Sequence, residues 1–205
     1  MFNGKFAVLG AATLSLALSS VLSATTPPPP APLADVYQAN YFLGVYGGPA
    51  DATITIMDTG ANGSANLCAD IYVLNPSEEL EECCSCVLTP DEILSGSVFS
   101  NLLSNGLTSI DLTNGVIKII SDSKCNAAKP TATPEMVAWL TRLDFSTFPP
   151  SGPNSVGVTT TQFASAGLSA GELASLGTRC GDITLIGSGH GVCQCPSEPP
   201  NNYSE

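Results

Sequence analysis

The sequence predicts a mostly β domain, a disulfide-stapled, β-sandwich-like fold with one or two short helices. Three observations carry that prediction. Apolar and polar residues alternate with a period of two in short runs, as where Ile54 and Ile56 alternate with Thr53, Thr55 and Met57. Clusters rich in Gly, Pro and Asn separate the runs, such as Gly47-Gly48-Pro49 and Asp58-Thr59-Gly60-Ala61-Asn62-Gly63-Ser64. Eight cysteines, none of them before Cys68, form an even set suited to cross-linking.

The first 24 residues read as a secretory signal peptide. Lys5 is the one cation of a short leading region, Phe6 to Leu22 carries no charge, and Val21-Leu22-Ser23-Ala24 offers small residues for cleavage after Ser23 or Ala24. A membrane anchor competes, since about 17 uncharged residues is the lower limit for a span. Gly10, Ser15, Ser19 and Ser20 dilute its apolarity, however, and no basic stop-transfer flank follows. No cysteine stands at the cleavage region to carry a lipid, and Pro199 to Glu205 lacks the apolar tail of a GPI signal. A secreted, extracellular product is expected. Residues 25–35 form a Pro-rich spacer, residues 36–196 a single β-rich disulfide-bonded domain, and residues 197–205 a flexible tail.

Within the domain, Val36 to Val45 and Ala52 to Asp58 read as strands. Cys68 to Leu74 is a third, with Cys68, Asp70, Tyr72 and Leu74 on one face and Ala69, Ile71 and Val73 on the other. Asn75-Pro76-Ser77-Glu78 combines a capping residue, a first-turn proline and following acids. It predicts one or two helical turns, with Glu78, Glu79, Glu81 and Glu82 on a solvated face. Ile93 to Leu107 reads as strand-like. The β-branched run Gly115 to Ser121 reads as a buried strand, with Lys118 at an edge or projecting outward. Met136 to Phe145, with the sole tryptophan Trp139, fits a helix entered at Thr133-Pro134 or a strand; the strand is preferred. Ser169-Ala170-Gly171-Glu172 has capping-box spacing, and Leu168, Leu173 and Leu176 form a stripe. This predicts a short helix up to Gly177 over one end of the core. Ile183 to Ile186 is expected to be the last strand.

Cys68, Cys83, Cys84, Cys86, Cys125, Cys180, Cys193 and Cys195 can form up to four disulfides. Adjacent Cys83 and Cys84 must bond in different directions, because neighbouring Cβ atoms rarely meet disulfide geometry. The simplest frame joins some of Cys83, Cys84 and Cys86 to Cys193 and Cys195, uses Cys68 locally, and pairs Cys125 with Cys180. A bridge between residues about 110 apart contributes on the order of 4 to 5 kcal/mol by loop-closure entropy, a model-dependent upper value. Zinc competes for the same thiols, with His190, Cys193 and Cys195 joining Cys83, Cys84 and Cys86. Oxidation after export would consume those ligands. Cys83-Cys84-Ser85-Cys86 also matches a Cys-x-x-Cys redox pattern, but no βαβ unit surrounds it.

The chain carries 18 acidic and six basic residues, a net charge of −12. Removing Lys5 with the signal peptide takes this near −13. Only 12% of residues are charged and 43% are hydrophobic, so this is a folding chain and not an acidic disordered one. Such a field repels nucleic acid and anionic lipid, so neither nucleic acid nor, after cleavage, a membrane is an expected partner. Self-association or an extracellular partner stays open.

No residue is assigned a catalytic, cofactor-binding or metal-binding role. Asp58-Thr59-Gly60 resembles the active-site motif of aspartic proteases, in which two aspartates share a proton. It occurs once here, so a hydrolase of this type would need a dimer, and an ordinary turn is the preferred reading. A calcium loop counted from Asp58 places Ala69 where a bidentate carboxylate is required, which excludes an EF-hand. A looser calcium site using Asp58, Asp70 or the Glu78 to Glu82 run is the remaining cofactor alternative. His190, the sole histidine, lies between Gly189 and Gly191, and Ser188 is too local for a normal triad. The glycines fit positive-φ turn positions better. Asn62-Gly63-Ser64 and Asn202-Tyr203-Ser204 are glycosylation sequons in a glycosylating host.

Four segments together resemble a group of exported, cysteine-rich bacterial proteins of uncharacterised function. They are Leu67-Cys68-Ala69-Asp70-Ile71-Tyr72-Val73, Glu81-Glu82-Cys83-Cys84-Ser85-Cys86, Gly115-Val116-Ile117-Lys118-Ile119-Ile120-Ser121 and Gly187-Ser188-Gly189-His190-Gly191-Val192-Cys193-Gln194-Cys195. The likeness spans roughly Val36 to Cys195. It implies bacterial export and carries no activity, cofactor or catalytic residue. The expected role is a secreted, non-enzymatic structural, adhesive or surface-interaction domain. A dimeric aspartic-protease-like hydrolase and a calcium-dependent binding module are the alternatives.

Overall fold

The computed structural model describes residues 36–46, 50–60, 65–103, 112–144, 157–185 and 191–196. The expected signal peptide, spacer and tail, His190 and both sequons lie outside them. The described strands are β1 (Tyr37–Leu43), β2 (Ala52–Asp58), β3 (Leu67–Leu74), β4 (Leu80–Leu88), β5 (Ile93–Ser97), β6 (Asn114–Asp122), β7 (Met136–Asp144), β8 (Gly157–Gln162) and β9 (Ala164–Ser165). They form two antiparallel sheets. The first has the order β4-β3-β6-β1-β9, the second β5-β2-β7-β8.

The period-two patterns explain the two layers. Leu67, Ala69, Ile71 and Val73 of β3, Ile117 and Ile119 of β6, and Phe42 of β1 pack with Ile54 and Ile56 of β2 and Met136, Ala138 and Leu140 of β7. Phe42, Ile54, Ile56, Ile71, Ile117, Ile119 and Met136 are fully buried. Each such side chain stabilises the fold by roughly 1.5–3 kcal/mol relative to exposure. Ala52–Asp58 is a strand over the predicted span. Met136–Asp144 is the strand preferred above, because Ile56 and Ala138 pair across a ladder that buries both.

A third layer, α1 (Ala170–Leu185), lies on the outer face of the first sheet. The serine half of the predicted capping box is present at its start, where the Ser169 Oγ accepts from the Glu172 N–H at 3.0 Å, while the Glu172 carboxylate accepts from Lys118. Leu176 and Cys180 pack with Tyr37, Tyr72, Leu74, Cys83 and Ile120 in a second apolar cluster. Gly177 permits close approach here: a Cβ would lie 2.9 Å from the Ala128 carbonyl oxygen.

Several expectations are corrected. Asn75 to Glu78 is a hairpin turn and not a helix: the Asn75 Oδ1 accepts from the Ser77 and Glu79 N–H groups, and Glu78 adopts φ 65°. The same side-chain chemistry serves a helix cap or an Asx turn, and the β3–β4 ladder with its buried Cys84, Cys86 and Leu88 selects the turn. Glu82 is consequently buried rather than on a solvated helix face. The helix expected to stop at Gly177 continues to Leu185, so Ile183 to Leu185 is helical and not a last strand. It also covers a sheet face rather than one end of the core. Within Ile93 to Leu107, β5 ends at Ser97 and one π-helical turn follows over Val98–Leu102. Lys118 sits on β6, which is central in its sheet, and projects outward toward α1.

Candidate functional site

The cysteine-rich stretch becomes β4, whose alternation separates its sulfurs. Cys84 and Cys86 face the sandwich interior, and Cys83 faces α1. The bridges are Cys68–Cys125, Cys83–Cys180, Cys84–Cys193 and Cys86–Cys195. The expected joining of this stretch to Cys193 and Cys195 is therefore present, as is the divergence of Cys83 and Cys84. The expected Cys125–Cys180 bridge and the local use of Cys68 are not. Cys68 pairs with Asp122 in the β3–β6 register, and the chain after Asp122 folds back so that Cys125 meets Cys68. Cys180 is carried by α1 over Cys83 instead.

Residues 191–196 run as a strap along the edge of β4. The Cys83 N–H donates to the Gly191 carbonyl at 2.6 Å, the Cys193 N–H donates to the Cys83 carbonyl at 3.3 Å, and the Gln194 N–H reaches the Asn101 carbonyl at 2.8 Å. The strap thus joins β4 of one sheet to the turn after β5 of the other. Gly191 has φ 81°, and a Cβ there would lie 2.4 Å from the Glu81 carbonyl oxygen, so only glycine fits without movement. The positive φ expected of this glycine is present. Beside the strap a recess of about 320 Å³ is lined by Cys83, Cys125, Cys180, Cys193, Cys195 and Ser85.

A buried polar network lies on the outer face of β3 and β6. Asp122 accepts from the Lys124, Asn126 and Thr131 N–H groups at 2.7–2.9 Å, which shapes the loop after β6. The Ser85 hydroxyl donates to Asp70 Oδ1 and accepts from the Ala127 N–H, and the Tyr72 hydroxyl donates to the Ala127 carbonyl. Burial pushes the Asp70 carboxyl up to about 8, the Ser85 hydrogen bond opposes this, and the Asp122 charge adds to it. Protonated, its otherwise unpartnered Oδ2 becomes a donor beside Asp122. Glu82, on the interior face of β4, is likewise pushed up to about 8 by burial and then by the charge of Glu81. The sequence gives little sign of this network, since Asp70 and Ser85 look like ordinary polar strand residues; the phase of Asp70 with Tyr72 and Leu74 is the one available signal.

The remaining candidates are dispersed. Asp58 is buried at the end of β2, where its Oδ1 accepts from the Gly60 N–H at 2.8 Å, the bond of a turn. Asp70 lies on the outer face of the other sheet. Among the described residues, the three-residue clusters of metal-ligating type reduce to Cys84, Cys86 and Cys195, whose sulfurs lie within 4.8 Å of one another. A cleft of about 270 Å³ between α1 and the first sheet, which sequence reading missed, holds Lys118, Glu172 and Arg179. Glu172 accepts from the Lys118 Nζ at 2.6 Å and from the Tyr37 hydroxyl at 3.5 Å, while Arg179 donates to the Glu78 carbonyl at 2.8 Å. These bonds fasten α1 to the sheet and to the β3–β4 turn. Among the described residues no helix is long and apolar enough to cross a membrane.

No family model matches this chain, and no curated protein matches it. Among solved structures, the crystal structure of Thermotoga maritima 1070 is similar over 64% of this chain and 97% of its own, with 17% sequence identity and a TM-score of 0.39. A likeness that loose transfers neither fold nor role.

Proposed function

We propose that this chain is an exported, non-enzymatic β domain with a structural, adhesive or surface-interaction role, in keeping with its resemblance to exported cysteine-rich bacterial proteins. The observation that carries this reading is the strap, a C-terminal segment held across the sandwich by two sulfur bridges, with two further bridges on the outer face. Such cross-linking fits an oxidising, extracellular compartment and a domain that must persist outside the cell. Asp58 serves its own turn and Asp70 lies under the loop after β6, which favours reading both as structural. Expression in a bacterial host should release a chain beginning at Ala24 or Thr25, read by intact mass. Sedimentation and binding assays on cells, matrix and glycans then test the role; a chain that does not self-associate and binds none of these surfaces would overturn it.

One observation favours a calcium-dependent version of this role. Asp58 Oδ2 and Glu135 Oε2 are buried and unpartnered, and their strand ends adjoin, with the Thr59 N–H donating to the Glu135 carbonyl at 3.0 Å. A melting temperature raised by calcium relative to EDTA is the expected result, and an unchanged one removes this version.

A further inference from the structure

Four sulfurs from two distant segments occupy one locus at the strap. Cys84 and Cys86 project from the interior face of β4 two residues apart, and Cys193 and Cys195 meet them with the same spacing. The Cys84 and Cys86 Sγ atoms, which belong to different bridges, are 3.8 Å apart. Cys195 Sγ lies within 4.8 Å of both, and Cys193 is bonded to Cys84. A zinc ion holding four thiolates tetrahedrally at about 2.3 Å has sulfur–sulfur edges of about 3.8 Å. One edge of such a site is therefore already in place, fixed by the β4 backbone. Cys84, Cys86 and Cys193 are buried, while Cys195 is exposed and borders the recess that opens beside the strap.

We propose that, once both strap bridges are reduced, Cys84, Cys86, Cys193 and Cys195 bind a single zinc ion, so that metal holds the strap where sulfur bonds held it before. The reductant is a dithiol or a tertiary phosphine. Two equivalents deliver four electrons and four protons: each dithiol closes to its own disulfide, or each phosphine takes oxygen from water to become its oxide, both strap sulfur–sulfur bonds break, and four thiols result. Zinc then displaces those protons as the thiols become thiolate ligands. The soft, all-sulfur set selects zinc over calcium or magnesium. Cys83–Cys180 and Cys68–Cys125 lie on the outer side of the sheet and take no part.

The test uses the full mature chain, reduced with a phosphine under anaerobic conditions and titrated with cobalt(II), whose absorption reports tetrahedral thiolate coordination. One cobalt per chain with a tetrathiolate spectrum, displaced by one equivalent of zinc, is expected. A Cys193→Ser/Cys195→Ser chain should lose the tetrathiolate absorption and bind cobalt more weakly, since half the ligands are gone. A Cys68→Ala/Cys125→Ala chain should retain the site. Absent or non-stoichiometric binding by the reduced wild-type chain, folded or unfolded, overturns the proposal. So does tetrathiolate cobalt binding whose affinity is unchanged by loss of Cys193 and Cys195.

Discussion

At one flank of the sandwich the chain itself turns from β8 in the second sheet to β9 in the first, with the Phe163 N–H donating to the Ala138 carbonyl at 2.8 Å. Beside that corner the buried Gln38 side chain of β1 completes the β7 edge beyond the end of β8. Its Nε2 donates to the Met136 carbonyl, and its Oε1 accepts from the Ala138 N–H at 3.1 Å. At the opposite flank β4 and β5 are bridged by a strap whose cysteines lie 109 residues along the chain from their partners. A corner made by consecutive residues loses little entropy on closing. A strap recruited from so far away loses more, and covalent bonds offset that loss in advance by restricting the unfolded chain. The two flanks do the same structural work, one with amide hydrogen bonds and the other with sulfur.

The largest expected effect breaks the sulfur flank. Replacing Cys84 and Cys193 together by alanine should cost about 3–5 kcal/mol, read by denaturant unfolding. Hydrogen exchange should rise in β4 and the strap while the β8–β9 corner keeps its protection. Next comes pH. Asp70 and Glu82 are both raised to about 8, so the folded state holds protons that the unfolded chain releases near pH 4. Their contribution is fully present below about pH 4, declines as pH rises, and is lost above about 8, a change on the order of a few kcal/mol. Glu82→Gln should flatten that profile from the sulfur flank, and Asp70→Asn from the outer network, both read as melting temperature against pH.

Gln38→Leu tests the amide flank directly. It leaves a carbonyl and an N–H of β7 unpaired in the interior and should cost about 2–4 kcal/mol by denaturant unfolding. Its exchange signature should fall on β7 and not on the strap. Gly191→Ala should cost about 1–2 kcal/mol, because it forces both a left-handed φ and a clash with Glu81, and it should speed reduction of Cys86–Cys195. Smallest, and remote from both flanks, Ser169→Ala removes the cap of α1 and should cost about 1 kcal/mol, read by chemical denaturation. An effect of that change on strap reduction would show that α1 and the strap are coupled through Cys83–Cys180.

The readable part of the molecule is the part governed by local pattern. Ile54 and Ile56 alternating with threonines define β2, the β-branched run at residue 116 onward defines β6, and Ser169 with Glu172 marks the helix start, because each depends on neighbours within a few residues. β8 carries no such local pattern: its Gly-Val-Thr-Thr-Thr-Gln is exposed along its whole length, so no burial imprints an alternation on it. Asn75 to Glu78 fits a helix cap and an Asx turn equally in sequence, because the two share one local chemistry.

By itself the sequence determined a β-rich, cysteine-rich domain, and it pointed to a frame joining some of Cys83, Cys84 and Cys86 to Cys193 and Cys195 and to a positive φ at Gly191. Tertiary structure alone decided that Cys125 meets Cys68, that Cys180 meets Cys83, that Asp70 and Glu82 are buried, and that Gln38 joins the sheets. Those outcomes depend on which strands become neighbours, and strand order is set by burying whole faces at once. No window of residues contains that information.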